Sequence, residues 1–180
     1  MNKKILLLLS ILLLSGCIAK KKTTYSKKRA ITVAASENTS ETIKKSKKST
    51  KKNKEVEKVI KSAMAYSGVR YKYGGTTKKG MDCSGLIHVA LQENDINFPR
   101  VSYQMANEGS RIKLGKVQKG DLLFFKTKKN SDRINHVGLV VTTDNDEIKF
   151  IHASSSRGVI VSSLREGYWN SAFIKATRIL

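Results

Sequence analysis

Apolar residues recur at Val56, Val59, Ile60, Ala63 and Met64, the spacing of one helical face, and Gly68 stands where a left-handed residue can close that helix. A second helical pattern follows Asp82, with Leu86, Ile87, Ala90 and Leu91 on one side and the run extending to Glu93. Asp82 reads as its N-cap, which places Cys83 in the first turn. Between the two helices, Tyr71-Lys72-Tyr73-Gly74-Gly75 and Thr76 to Gly80 form a glycine-punctuated loop. Asn97-Phe98-Pro99-Arg100 breaks the chain, and Ser102 is placed to cap a short helix running through Glu108 to a stop at Gly109. Thereafter the pattern turns to strands at Asp121 to Lys126, His136 to Thr142, Glu147 to His152, Val159 to Val161 and Phe173 to Ile179. Helices come first and strands follow. This segregation predicts an α+β fold, with N-terminal helices packed on an antiparallel sheet or small barrel.

The periodic pattern begins only near Glu55, and the residues before it differ in kind. Asn2-Lys3-Lys4, the apolar run Ile5 to Leu14 and the small residues up to Cys17 have the layout of a secretory signal. Ten residues as helix, nine of them apolar, reach about 15 Å, against roughly 30 Å of bilayer hydrocarbon, so the run is too short to span. Leu14-Ser15-Gly16-Cys17 resembles the bacterial lipoprotein box, in which the cysteine is acylated and becomes the new N-terminus. Ile18 to Asn53 is rich in Lys, Ser and Thr without a sustained period, which predicts a disordered tether with a reach on the order of 35 Å. The expected organisation is therefore 1–16 signal peptide, 17–54 lipidated tether and 55–180 catalytic domain. Isoleucine after Cys17, in place of an aspartate that retains lipoproteins at the inner membrane, points to a lipid anchor in the outer membrane facing the periplasm.

Charge follows the same division. The chain carries 35 Lys+Arg against 14 Asp+Glu, a formal net charge of +21. Thirteen of the basic residues and two of the acidic ones lie between Lys20 and Lys54. No zinc-ligand spacing, aromatic RNA-binding motif or heptad run accompanies these lysines, which argues against nucleic acid as a partner. They are suited to anionic lipid headgroups or wall polymers, or equally to a solvated spacer.

With Cys17 carrying lipid, Cys83 is left as a solitary thiol outside the cytoplasm, where disulfides are the usual fate of thiols. A nucleophile is the better explanation, and the helix N-terminus is expected to favour its thiolate. Of the three histidines, His88 points about 140° round the helix from Cys83 and reads as structural. His136 starts one strand and His152 ends the next, across the turn Thr143-Asp144-Asn145-Asp146. Paired directly opposite on one face, which requires an odd-length loop or a bulge, one imidazole would serve Cys83 as base and the other would fix its tautomer. A zinc site of one cysteine and two histidines is the competing reading, but the close ligand pairs usual for zinc are absent.

Taken together, Tyr71 with Gly74-Gly75, Asp82-Cys83-Ser84-Gly85-Leu86, Pro99-Arg100 with Gln104, Gly120-Asp121-Leu122, His136-Val137-Gly138 and His152-Ala153-Ser154 resemble the NlpC/P-60 family of bacterial cell-wall cysteine peptidases. The matching features run from about Val69 to Trp169. The resemblance implies a papain-like α+β fold, no cofactor, and hydrolysis of peptide bonds in peptidoglycan, commonly between γ-D-Glu and a diamino acid. It implies Cys83 as nucleophile, His136 as base, His152 as the third member, and Tyr71 with the Cys83 N–H as oxyanion contacts. Asp82, Ser84 and Arg100, in or beside the same motifs, are expected to touch substrate. Within the family the chain resembles the Spr/MepS type of lipoprotein, and that resemblance implies cleavage of D-Ala to diaminopimelate crosslinks; the lysine-rich tether departs from that type. A wall-binding lipoprotein without hydrolytic activity, and an acyltransferase on a related fold, remain as alternatives.

Overall fold

A computed structural model describes residues 38–128, 132–145 and 147–180, with side chains from Thr50 onward. Helix α1 spans Asn38–Met64, and its C-terminal half puts Val59, Ile60 and Ala63 into the core. The chain leaves it through successive turns to Gly68, whose φ of +82° is the left-handed conformation expected there and whose N–H bonds Val159 O at 2.8 Å. The helix begins well before Glu55, so the stretch from Asn38 to Asn53, expected to be unstructured, is helical. The expectation weighed only burial. Lysine and glutamate are good helix formers, and a helix already nucleated by its docked half extends at little cost per residue. The signal-like run, Cys17 and the rest of the expected tether up to Glu37 lie outside the described residues. Among the described residues no helix is long and apolar enough to cross a membrane.

After α1 come a two-stranded hairpin, β1 (Thr76–Thr77) and β2 (Gly80–Met81), then helix α2 (Cys83–Gln92) and the short helix α3 (Ser102–Met105). Ser102 is the first helical residue and is buried; Val101 occupies the N-cap without a side-chain bond, so the expected serine cap is not formed. The remaining strands are β3 (Ser110–Ile112), β4 (Leu122–Phe125), β5 (His136–Thr142), β6 (Lys149–Ser154), β7 (Gly158–Ser163) and β8 (Phe173–Arg178), with helix α4 (Gly167–Ala172) before the last. They form one six-stranded antiparallel sheet in the order β3-β8-β4-β5-β6-β7. Because β3 and β7 are both edges, the sheet is open and not a barrel.

The sheet is covered on both faces. One face carries Leu122, Phe124, Val137, Leu139, Ile151 and Ala153 against α1 and α2; the other carries Leu123, Phe125, Val140 and Phe150 against Trp169 and Ala172 of α4. Burial on both sides explains why β4 reads as an unbroken Leu-Leu-Phe-Phe with all four residues inaccessible, where a half-solvated strand would alternate. Asp121, 1% exposed, is held by Arg178 through Nε to Oδ1 at 2.7 Å and Nη2 to Oδ2 at 2.8 Å, clamping the start of β4 to the end of β8.

Candidate active site

The β1–β2 hairpin delivers the chain to α2. Met81 donates to Arg70 O and accepts from Lys72 N, so the segment at Tyr71 runs beside β2 and sets the position of residue 82. Asp82 is extended (φ −98°, ψ 175°) and its Oδ1 accepts the Gly85 N–H at 2.6 Å, the N-cap expected from sequence. Its Oδ2 accepts the Gly74 N–H at 2.8 Å. Arg100 grips both carboxylate oxygens at 3.0 Å and also donates to Ser84 Oγ at 2.9 Å and to Gly75 O at 3.3 Å. Gly85 is enclosed by this cluster: a Cβ there would lie 2.1 Å from Gly75 O and 3.0 Å from Arg100 Nη2. Asp82, Ser84 and Arg100, expected as substrate contacts, bond to one another and to the backbone. Asp82 and Ser84 are buried, and the trio's visible role is to fix the first turn of α2.

Cys83 opens that turn with 8% of its surface exposed. Its Sγ lies 3.9 Å from Asn135 O, beside His136, and the Val137 backbone N–H acts to favour its anion. Burial pushes the thiol up to about 11; the N–H groups of Val137, Ser84 and Cys83 oppose this and the Asp82 charge adds to it. The expected preference for thiolate is therefore reversed in the unliganded site, because loss of water outweighs the helix-terminal N–H groups. Tyr71 lies in the same field: burial first, then the charges of Cys83 and Asp82, raise its phenol.

The histidines arrive from the sheet. In β5 and β6, Leu139 pairs with Ile151 and Val140 with Phe150, and the register shifts before Thr142–Lys149. That bulge puts residues 136 and 152 on one face, as expected, but offset by two positions and not directly opposite. Diagonal neighbours are still within reach of ring side chains. His136 Nε2 lies 3.0 Å from His152 Nδ1, and the rings meet edge to face with centroids 5.0 Å apart. Between them in the register, Gly138 makes room for the Phe150 ring, since a Cβ there would fall 2.4 Å from it. Burial lowers His136 to about 4 and His152 to about 3, the latter also through His136 and Arg157, so both rings are neutral at pH 7. No hydrogen bond joins Cys83 Sγ to the His136 ring among the described residues; the thiol rests on Asn135 O instead. His88, read as structural, bonds Phe98 O through Nδ1 at 2.9 Å.

Two neighbours carried no role in the sequence reading. Trp169 of α4 stacks on His136 (centroids 5.2 Å, interplanar angle 23°) and meets His152 edge-on at 4.5 Å. Ser162 of β7 stands 3.1 Å from His152 Nε2. A lone tryptophan near the end of the matched motifs was a signal for the first; a serine inside an apolar strand gave little for the second. Among the described residues no group of three His, Cys, Asp or Glu is arranged to hold a metal ion.

A family model described as the NlpC/P60 family matches residues 68–178. The chain is 40% identical over 116 residues to the probable endopeptidase NlpC of Escherichia coli K12, covering 64% of this chain and 72% of that protein. It is 36% identical over 116 residues to the murein DD-endopeptidase MepS/murein LD-carboxypeptidase of the same organism, covering 64% of this chain and 58% of that one. Crystal structures of an NlpC/P60 family protein from Bacillus cereus and of a lipoprotein-like NLP/P60 family protein from Staphylococcus aureus superpose with TM-scores of 0.62 at 27% and 29% identity. They cover 68% and 71% of this chain and 39% and 42% of their own lengths. With a family model matching well over half of its residues, the chain belongs to the NlpC/P60 family.

Proposed function

We propose that this protein is a cysteine-type endopeptidase that cleaves peptide bonds in peptidoglycan. The observation that carries the reading is the His136–His152 pair, buried, neutral and directly bonded, beside a cysteine at a helix N-terminus. In this reading Cys83 Sγ leaves its weak contact with Asn135 O and attacks the scissile carbonyl as its proton passes to His136. His136 then returns that proton to the leaving amine, and water releases the acyl group from sulfur by the reverse sequence. His152 orients His136, and the Cys83 N–H with the Tyr71 hydroxyl faces the developing oxyanion. Because thiol and imidazole both rest neutral, proton transfer accompanies attack and no ion pair awaits the substrate.

The name of the 36%-identical relative specifies DD-cleavage and LD-carboxypeptidase activity, whereas a 31%-identical Bacillus subtilis relative is a DL-endopeptidase. The higher identity favours the D-Ala to diamino acid crosslink as the scissile bond, with the γ-D-Glu bond second. The lipoprotein box at Leu14 to Cys17 supports a lipid anchor on Cys17 in the outer membrane. Digestion of purified sacculi followed by mass spectrometry of the muropeptides tests activity and bond together. Loss of crosslinked dimers is expected with the native chain and not with Cys83→Ala; unchanged sacculi with both would overturn the reading. Cys17→Ala is expected to move the protein out of the membrane fraction, and retention there would refute lipidation.

A further inference from the structure

The hydrogen bonds at His136 continue past His152 to a third strand. His136 Nε2 faces His152 Nδ1 at 3.0 Å, and His152 Nε2 faces Ser162 Oγ at 3.1 Å. The path runs diagonally across β5, β6 and β7: His152 is paired with Ile160, and Ser162 lies two residues further on the same face. All three residues are buried, His152 completely. No other side-chain hydrogen bond involves these four atoms among the described residues.

We infer that Ser162 is a positioning residue whose hydroxyl accepts the His152 Nε2–H and thereby sets the tautomers of both histidines, leaving His136 Nδ1 bare to take the proton of Cys83. A neutral imidazole has one N–H and one acceptor nitrogen, so two rings and a hydroxyl in series must all point the same way. If His152 donates from Nε2 to Ser162 Oγ, its Nδ1 is an acceptor, His136 must donate from Nε2, and His136 Nδ1 is free as a base. If Ser162 donates instead, His152 carries its proton on Nδ1, His136 accepts at Nε2, and its own proton sits on Nδ1, the one nitrogen not turned to His152. That second arrangement has no base. In the first, attack by Sγ transfers the thiol proton to His136 Nδ1. The resulting imidazolium keeps its Nε2–H on His152 Nδ1, and no proton moves further along the series.

Removing the hydroxyl biases the balance. In Ser162→Ala the productive tautomer would bury an N–H with no acceptor, at a site with no access to water, whereas the unproductive one buries only a bare nitrogen. The inference rests on the hydrolase reading for its effect on turnover, but not for the tautomers themselves.

The experiment is nitrogen-15 NMR of the imidazole rings in the full chain at pH 7, beside steady-state kinetics on a crosslinked muropeptide. His88, whose Nδ1 must donate to the Phe98 carbonyl, supplies an internal reference for the opposite tautomer. His136 and His152 are expected to carry their protons on Nε2 in the native chain. Nδ1–H on either would overturn the inference, whether or not the chain proves to be a hydrolase. Ser162→Ala is expected to shift both rings toward Nδ1–H and to lower kcat by roughly tenfold or more with KM unchanged. Ser162→Thr, which restores a hydroxyl, should recover both the tautomers and kcat. A folded Ser162→Ala with native kcat and native ring spectra would also refute it.

Discussion

Cys83 sits between two opposed influences, helix-terminal N–H groups that favour its anion and burial that favours its thiol, and burial prevails. With the thiol at about 11, the thiolate fraction at pH 7 is on the order of one in ten thousand. Alkylation of the substrate-free chain by iodoacetamide should therefore be slow at pH 7 and rise by about tenfold per pH unit toward pH 10. A rate already at its plateau at pH 7 would show that the thiolate is formed in the resting site. His152 is 0% exposed and bonded at both nitrogens, so its substitution should reveal orientation more than charge. His152→Asn is expected to retain more kcat than His152→Ala, with both below the native chain; equal loss in the two would remove the orienting role. Cys83, His136 and His152 stood out in the chain as candidates, since few residue types do this chemistry, and the fold brings the two imidazoles into contact. The protonation state of the thiol was not, because it depends on atoms brought from β5.

At the scale of elements, α2 holds its N-terminal geometry through a carboxylate that accepts two backbone N–H groups and one guanidinium. Asp82→Ala removes a cap worth about 1 kcal/mol and leaves the half-buried Arg100 without its carboxylate. It is expected to lower the unfolding midpoint in denaturant and to depress kcat together, since the first turn that carries Cys83 loosens. Preserved kcat in a destabilised Asp82→Ala would show that the cap serves stability alone. The β5–β6 hairpin illustrates the limit of pattern reading. Its strands and the shared face of the two histidines followed from residue spacing and an assumed bulge. The two-residue offset required the register itself, and the rings meet because a diagonal contact suits large side chains.

Across the whole molecule, neutral buried histidines tie stability to pH. The folded-state values of about 4 for His136 and about 3 for His152 lie below the unfolded value of 6.5, so the unfolded chain binds more protons between these limits. Stability is thus full above pH 6.5 and declines as pH falls toward 4, by an amount on the order of 3 kcal/mol for the first ring to protonate. Urea unfolding at pH 7.5 and at pH 4.5 should show this loss, and it should shrink in His136→Gln. An identical pH dependence in that variant would assign the loss to other groups. A second global restraint is the Asp121–Arg178 clamp between β4 and β8. Arg178→Met leaves Asp121 buried without a counter-charge, with only the Gln118 N–H on its Oδ2, and should cost about 3 kcal/mol or more in the same assay; a change below about 1 kcal/mol would mean that the carboxylate gains a new cationic partner.

By itself the chain determined the local elements and the list of reactive residues. Periodicity reports which side of a helix or strand is apolar, caps report where helices begin, and the scarcity of Cys and His narrows the chemistry. The order β3-β8-β4-β5-β6-β7 and the open edges were decided by tertiary structure. So were the contacts of Trp169 and Ser162 with the histidines, and the hydrogen bonds that join Asp82, Ser84 and Arg100. The physical reason is common to all of these. Each depends on which distant segments exclude water from one another, and hydrogen-bond partners, burial and proton affinities follow from that packing and not from any residue's neighbours in the chain.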